Sequence, residues 1–279
     1  MGSKSESTPA PFVLFLRLVS LAFRHFGNGE PVVLIEDSPA SPHFPTELGW
    51  PIVPVPPMDA LPATLMELST QRPVLLLPSW ERRTHPSSDR SSARSARYRY
   101  EDVLQRCLPN APHSLIAVLL PAAALSSTAL WAVATREAVA EHWDTVAVVY
   151  GEGALPWADH RFVVAAVFLR RRDMATPPLR IYRVPRSVKH AAVEADFQRL
   201  LNHEGGRVDH GYVLRDIPEA REGLEFDRNN PAVLARRDAL VGFGGVVSLA
   251  DLYDFPSSVL LSTGRHLGAA RCRLPGSER

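Results

Sequence analysis

Ser114 to Arg172, SLIAVLLPAAALSSTALWAVATREAVAEHWDTVAVVYGEGALPWADHRFVVAAVFLRRR, is the stretch whose reading decides the fold. Leu115 to Leu120 is an apolar run, and the small residues after it lead into a helical pattern over 127–141. Two β-branched runs follow, Thr145 to Tyr150 and Phe162 to Leu169, with Gly151, Gly153 and Pro156 in the loop between them. Short continuous apolar runs are the mark of strands buried on both faces, and their alternation with a helix gives an α/β sandwich. The last two runs are joined by about a dozen residues with no helical periodicity, too few for a crossover, so they are expected antiparallel. A mostly parallel sheet with a C-terminal antiparallel hairpin is the predicted architecture.

Outward from this core, Pro11 to Phe26, PFVLFLRLVSLAFRHF, sets Phe12, Phe15, Leu16, Val19, Phe23 and Phe26 at helical spacing, while Arg17 and Arg24 interrupt the run. It is too short and too charged to span a membrane and reads as a helix packed on the sheet, ended by Gly27 or Gly29. Three more apolar runs follow, EPVVLIED over 30–37, IVPVPP over 52–57 and the segment Pro73 to Leu77. Prolines in the second suit an edge strand. A helix over 60–70 separates the second from the third.

The chain has 279 residues, 46% of them hydrophobic, which is ample for a large domain. A formal net charge of +1 gives no global electrostatic argument for nucleic acid. Lys occurs only at positions 4 and 189, and the two cysteines, Cys107 and Cys272, have no zinc or disulfide spacing. Phosphate-loop, metalloprotease and nucleophile-elbow motifs are absent, the histidines are scattered, and no metal site is expected. A reducing, cytoplasmic setting is the expectation.

The order strand, LLPAAALSS, helix, strand, GEGALP, strand resembles the C-terminal half of the catalytic domain in the N6-adenine DNA methyltransferases of restriction-modification systems, with Leu120, Pro121, Leu125 and Ser126 on its strand-end segment. The resemblance covers about residues 30–215 and implies a Rossmann-like, class I methyltransferase-like sheet with S-adenosylmethionine as cofactor and DNA as substrate. It makes Glu36 or Asp37 the acid for the cofactor's ribose, since polar ligands sit at the carboxyl ends of such strands; capping of the turn at Ser38-Pro39 accounts for an acid there equally well. Asp59 stands where the family's acid meets the cofactor's adenine amino group, and an N-cap of the following helix needs the same residue type.

In the family, the strand before the DNA loop ends in Asp/Asn/Ser-Pro-Pro-aromatic: the first side chain and a carbonyl accept hydrogen bonds from the target amino group, and the aromatic stacks on the flipped base. Leu77-Pro78-Ser79-Trp80 keeps Pro78 and Trp80 as the implied catalytic residues, but Leu77 has no acceptor and Ser79 lacks the stiffness of Pro. Behind it, ERRTHPSSDRSSARSARYRY over 81–100 carries Arg82, Arg83, Arg94 and Arg97 for phosphate contacts; such composition also fits a solvated loop. The glycine-rich cofactor loop is missing ahead of the first helix. Taking Val32 to Asp37 as the first strand, with DSPAS as a degraded loop, leaves only about forty residues to Trp80 for two further strands and helices, so the expected register starts the chain after that loop.

The domain plan expected is a disordered 1–10, an α/β domain over 11–201, and an extension over 202–279 in which GYVLRDI and SLADLY lead towards a recognition domain. A second polypeptide is the expected source of that domain or of a missing strand, and no membrane is involved. The functional expectation is a degenerate, S-adenosylmethionine-dependent adenine-N6 methyltransferase-like protein, inactive alone. The alternative is a non-catalytic α/β protein that binds nucleic acid or a partner.

Overall fold

The computed structural model describes residues 10–27, 29–36, 48–55, 61–68, 72–78, 99–153, 163–172, 177–185, 189–202, 207–215, 217–242, 253–254 and 271–272. The chain divides into two compact units, Met1–Arg228 and Asn229–Arg279.

The first unit begins with α1 (Ala10–Phe26), β1 (Val32–Glu36), β2 (Ile52–Val55), α2 (Leu61–Glu67) and β3 (Val74–Leu77). It continues with α3 (Arg99–Asp102), extended by a π turn and a 3-10 turn, then β4 (Leu115–Pro121), α4 (Ala123–Ser126) and α5 (Leu130–His142). β5 (Trp143–Glu152), β6 (Val163–Arg171), β7 (Leu179–Val184), α6 (His190–Asn202), β8 (Arg207–Val208) and β9 (Gly211–Leu214) complete it. These strands form one sheet in the order β2-β1-β3-β4-β6-β5-β7-β9-β8. β2, β1, β3 and β4 are mutually parallel; β6 is antiparallel to both β4 and β5, and β7 runs parallel to β5. The architecture is therefore the mixed, mostly parallel α/β sheet expected, with the β5–β6 hairpin folded back so that its second strand lies inside the sheet.

Alternation of side chains with a period of two divides the core into two layers. Leu115, Ala117 and Leu119 of β4 and Val164, Ala166 and Phe168 of β6 face α1 and α6, whereas Ile116, Val118, Leu120, Ala165, Val167 and Leu169 face the opposite side. A register shift between Thr145 and Ala147 sends both Val146 and Ala147 to the α1 side, the local effect of a bulge. On that side α1 is buried almost all round: Phe12, Phe15, Leu16, Leu18, Val19 and Phe23 are all fully buried. One stripe was expected to be covered; α6 and the sheet together cover more. Gly27 then closes the helix, its N–H donating to Phe23 O at 2.8 Å, in a place where a Cβ would approach Leu115 to 2.9 Å.

The opposite face carries α3, α5 and a strap, residues 217–228, held by one main-chain bond and two tyrosine hydroxyls. Leu224 N donates to Leu125 O at 2.8 Å, Tyr150 Oη to Leu224 O at 3.0 Å, and Tyr212 Oη to Phe226 O at 2.6 Å. Gly223 in the strap has φ +71°, and a Cβ there would stand 2.5 Å from Leu125 O.

A domain boundary at 201 falls in the last turn of α6, and the sheet continues beyond it through β8 and β9 in a unit that ends at Arg228. Asp196 of α6 joins the two sides of that point. Its nearly buried carboxylate accepts hydrogen bonds from Tyr182 Oη and from the N–H groups of Asp209 and His210 in the β8–β9 turn. In the second unit α7 (Pro231–Gly242) starts with Asn230 as N-cap, whose Oδ1 accepts from Ala232 N at 3.0 Å, and β10 (Tyr253–Asp254) pairs antiparallel with β11 (Arg271–Cys272).

Candidate functional site

In an open parallel sheet, ligands bind where the strand order reverses, at the carboxyl ends of the strands. The chain goes outward from β1 to β2, then returns past β1 to β3 and β4, so the reversal lies between β1 and β3. Ile35 pairs with Leu77, Glu36 with Val55 and Leu76 with Val118. Continuing these registers by one or two residues sets Val55, Glu36, Pro78 and Leu120 in a row along the carboxyl edge. Glu36 and Pro78, two of the residues singled out from the sequence, are thus brought side by side.

In the order 3-2-1-4 of a doubly wound sheet, the strand bordering the reversal on one side is the first. β1 borders the reversal here, with β2 beyond it as the edge, the place that the first strand takes in that order. Room is not a problem, because among the described residues only one strand lies beyond β1 before β3 begins. The sequence after β1, DSPASPHFPTE over 37–47, contains three prolines and no glycine and lies outside the described residues.

Leu77 ends β3 with 4% exposure, and its side chain belongs to the apolar layer on the α1 side; Pro78 is buried next to it. Neither offers a side-chain hydrogen-bond acceptor at the reversal. Asp37, Asp59, Trp80, Arg82, Arg83, Arg94 and Arg97 lie outside the described residues. Among the described residues no cluster of three His, Cys, Asp or Glu could hold a metal ion, and no helix is long and apolar enough to cross a membrane.

A second concave feature lies elsewhere. A cavity of about 400 Å³ opens on the α5 face between β4, β5, β6, α5 and the strap. None of its lining residues belongs to β1, β2 or β3. Its walls are mostly apolar, with Leu120, Trp131, Val139, Val167 and Leu169 among them, and Arg136, Arg172, Asp144 and Glu219 are its charged lining residues. Arg136 Nε donates to Ala220 O at 2.7 Å and Nη1 to Ala124 O at 2.9 Å, whereas Nη2 is buried and has no partner. Burial lowers the Arg136 pKa from its ordinary value, and Glu137 acts in the opposite sense. Sequence reading missed Arg136, because a lone Arg in LWAVATREAVAEH reads as the solvated side of a helix.

The sheet is mixed and mostly parallel, with β6 antiparallel inside a parallel set. A chain from a structure of the type I restriction-modification system superposes with a TM-score of 0.51 at 11% identity, over 85% of this chain and 63% of that one. The type I methyltransferase subunit from Streptococcus thermophilus gives 0.42 at 12% identity, over 74% and 55%. A protein from Listeria monocytogenes assigned to the class I S-adenosylmethionine-dependent methyltransferases gives 0.44 at 9%, over 72% and 74%. This chain therefore spans less than two thirds of the length of both restriction-modification chains. No protein-family model and no curated protein matches. At these identities the likeness is one of fold.

Proposed function

We propose that this chain is a methyltransferase-fold protein of a restriction-modification or related defence system that does not transfer methyl groups by itself and acts with DNA and a second polypeptide. The observation that carries the reading is Leu77, an apolar core side chain at the end of β3, beside the reversal of the sheet. An adenine amino group has its lone pair delocalised into the ring, so methylation needs acceptors for its protons at that point. Losing one well-placed hydrogen-bonding group costs roughly a factor of a hundred to a thousand in rate.

The cofactor side agrees. A backbone that closely approaches S-adenosylmethionine needs glycine, and the segment after β1 offers proline instead. A segment of that composition does not fit a close approach of the cofactor to the backbone. With β1 as first strand, the acid that serves the ribose comes some twenty residues later, after β2, which moves that role from Glu36 or Asp37 to Asp59. Trp80 keeps its stacking role, and Arg82, Arg83, Arg94 and Arg97 serve DNA phosphates.

Calorimetric titration of the chain with S-adenosylmethionine tests the reading: binding no tighter than about 1 mM is expected, roughly 4 kcal/mol. Micromolar binding lost in Asp59→Ala would overturn it, as would radiolabelled methyl transfer to DNA by the unaltered chain. Leu77→Asn with Ser79→Pro restores the tetrad but is expected to leave the chain inactive unless the second polypeptide is present. DNA binding should weaken steeply with salt, and replacing the four arginines by Ala should flatten that slope.

A further inference from the structure

The cavity on the α5 face lies apart from the reversal of the sheet, since none of its lining residues among the described ones belongs to β1, β2 or β3. Its volume of about 400 Å³ falls in the range of small-molecule pockets, roughly 300–1,000 Å³. What such a pocket can hold depends on which polar atoms of its wall are free to meet an occupant.

Along most of the wall those atoms are already engaged by the protein. The Thr135 hydroxyl donates to Trp131 O at 2.8 Å and accepts from Gln105 Nε2 at 2.9 Å, and the Trp143 indole N–H donates to Leu108 O at 3.1 Å. Arg136 gives Nε to Ala220 O and Nη1 to Ala124 O, and its Nη2 is buried, so this guanidinium presents no donor to an occupant. The surface around these groups is made by Leu120, Leu125, Trp131, Val139, Val167 and Leu169. Polar side chains in touch with water are found where β5 starts and β6 ends. There Arg172 pairs with Asp144 at 3.7 Å, their side chains 62% and 18% exposed, and Arg172 also donates to Ala140 O at 2.8 Å. Glu219, from the strap, is exposed.

We infer that this cavity binds a small neutral molecule with an apolar body, which lies along Trp131, Val139, Val167 and Leu169 and turns any hydroxyl it carries to the Asp144–Arg172 end. Apolar surface leaving water supplies the gain. A carboxylate or an ammonium carried into the same place would exchange its hydration for a wall whose inner polar groups are taken. Charge complementarity points the same way, because the charged lining residues are two arginines and two acids and balance each other. The inference does not rest on the methyl-transfer reading, and its test shares no variant with the tests of that reading.

The test is calorimetry on the full chain at neutral pH with 1-octanol, octanoate and octylamine as probes. Octanol is expected to bind at one site, with both ions at least about tenfold weaker. Its binding should slow amide exchange more in α5 and at Leu224 than in α1. Val139→Trp fills the cavity from the α5 side and should abolish octanol binding. Should that variant fail to fold, the exchange pattern of the unaltered chain locates the site instead. Octanoate or octylamine binding as tightly as octanol, no octanol binding up to millimolar concentration, or slowing greatest in α1 would each overturn the inference. So would an unchanged octanol affinity in a folded Val139→Trp.

Discussion

The two faces of the sheet are closed by different means. On the α1 side, apolar side chains interdigitate: Phe23 meets Phe168 edge-on at 5.0 Å and Trp50 at 6.4 Å, and Phe197 of α6 meets Tyr182 at 4.9 Å. On the α5 side the strap is fastened by side chains gripping main-chain carbonyls, and Arg183 stacks over Phe226 at 4.2 Å while pairing with Asp227 at 3.0 Å. Dispersion fills space completely only where shapes match. Hydrogen-bonded staples fix a segment at points and leave room between them, and the α5 side is where the cavity lies. One face is built for cohesion and the other tolerates a vacancy.

Phe168→Ala should show the largest effect, since it truncates the centre of the close-packed face; about 3–5 kcal/mol of stability is expected to go, read by urea denaturation. A loss under about 1 kcal/mol would mean the two faces do not differ in this way.

Gly223→Ala strikes the stapled face at its tightest point. Strain from φ +71° and the clash with Leu125 O should cost about 1–3 kcal/mol and detach the strap locally, so amide exchange at Leu224 should accelerate while β6 amides stay protected. Equal acceleration in both places would show that the strap and the sheet unfold as one.

Tyr150→Phe removes a single staple, leaving Leu224 O without its donor, and about 1 kcal/mol is expected. Burial raises the Tyr150 pKa, with Arg183 opposing and Glu225 assisting, so the phenol stays protonated and the bond should be insensitive to pH up to mild alkalinity. A pH-dependent difference between the variant and the parent chain below pH 9 would contradict that assignment.

The smallest effect sits at the end of α1. Arg170 donates to Phe26 O at 2.8 Å and Arg180 lies 5.4 Å over the Phe26 ring, so the negative end of the helix already has its cations. Partial burial, then Arg180 and Arg170, lower the His25 pKa from 6.5. The unfolded chain therefore binds this proton more readily. Stability contributed by neutral His25 is whole above pH 6.5 and declines as pH falls through that value towards the depressed one. His25→Gln should flatten the dependence of melting temperature on pH between 5 and 7. An identical slope in the variant would assign the acid sensitivity to other groups.

What the sequence disclosed follows from what periodicity can carry. Leu115 to Leu120 and Phe162 to Leu169 read directly as strands, because burial on both faces leaves an unbroken apolar run. The loop between β5 and β6 is too short for a crossover, so their antiparallel pairing was legible too. Lateral order was not: EPVVLIED is apolar whether it lies second or innermost, and only its pairing with both β2 and β3 settles its place. β8 and β9 were missed as part of the sheet because Arg207-Val208 and Gly211 to Leu214 are short and polar-flanked, and their order depends on contacts with α6 and β7. Pro78 and Glu36 were singled out as sequence motifs and lie on neighbouring strand ends, whereas Arg136 carries no motif; its place is fixed by two carbonyls contributed by other segments.

The inserted position of β6 also dictates an order of events during folding. Gly151 pairs with Val164 across a short loop, whereas Val32 pairs with Val74 and Leu115 with Arg170. Closing the short loop loses the least chain entropy, so the β5–β6 hairpin can form first, and the parallel strands must wait for β4 to find its exposed edge. Pulse-labelled hydrogen exchange should then protect amides of β5 and β6 before those of β1 and β3. The half of the sheet with the reversal between β1 and β3 would then become ordered after the β5–β6 hairpin, templated on it.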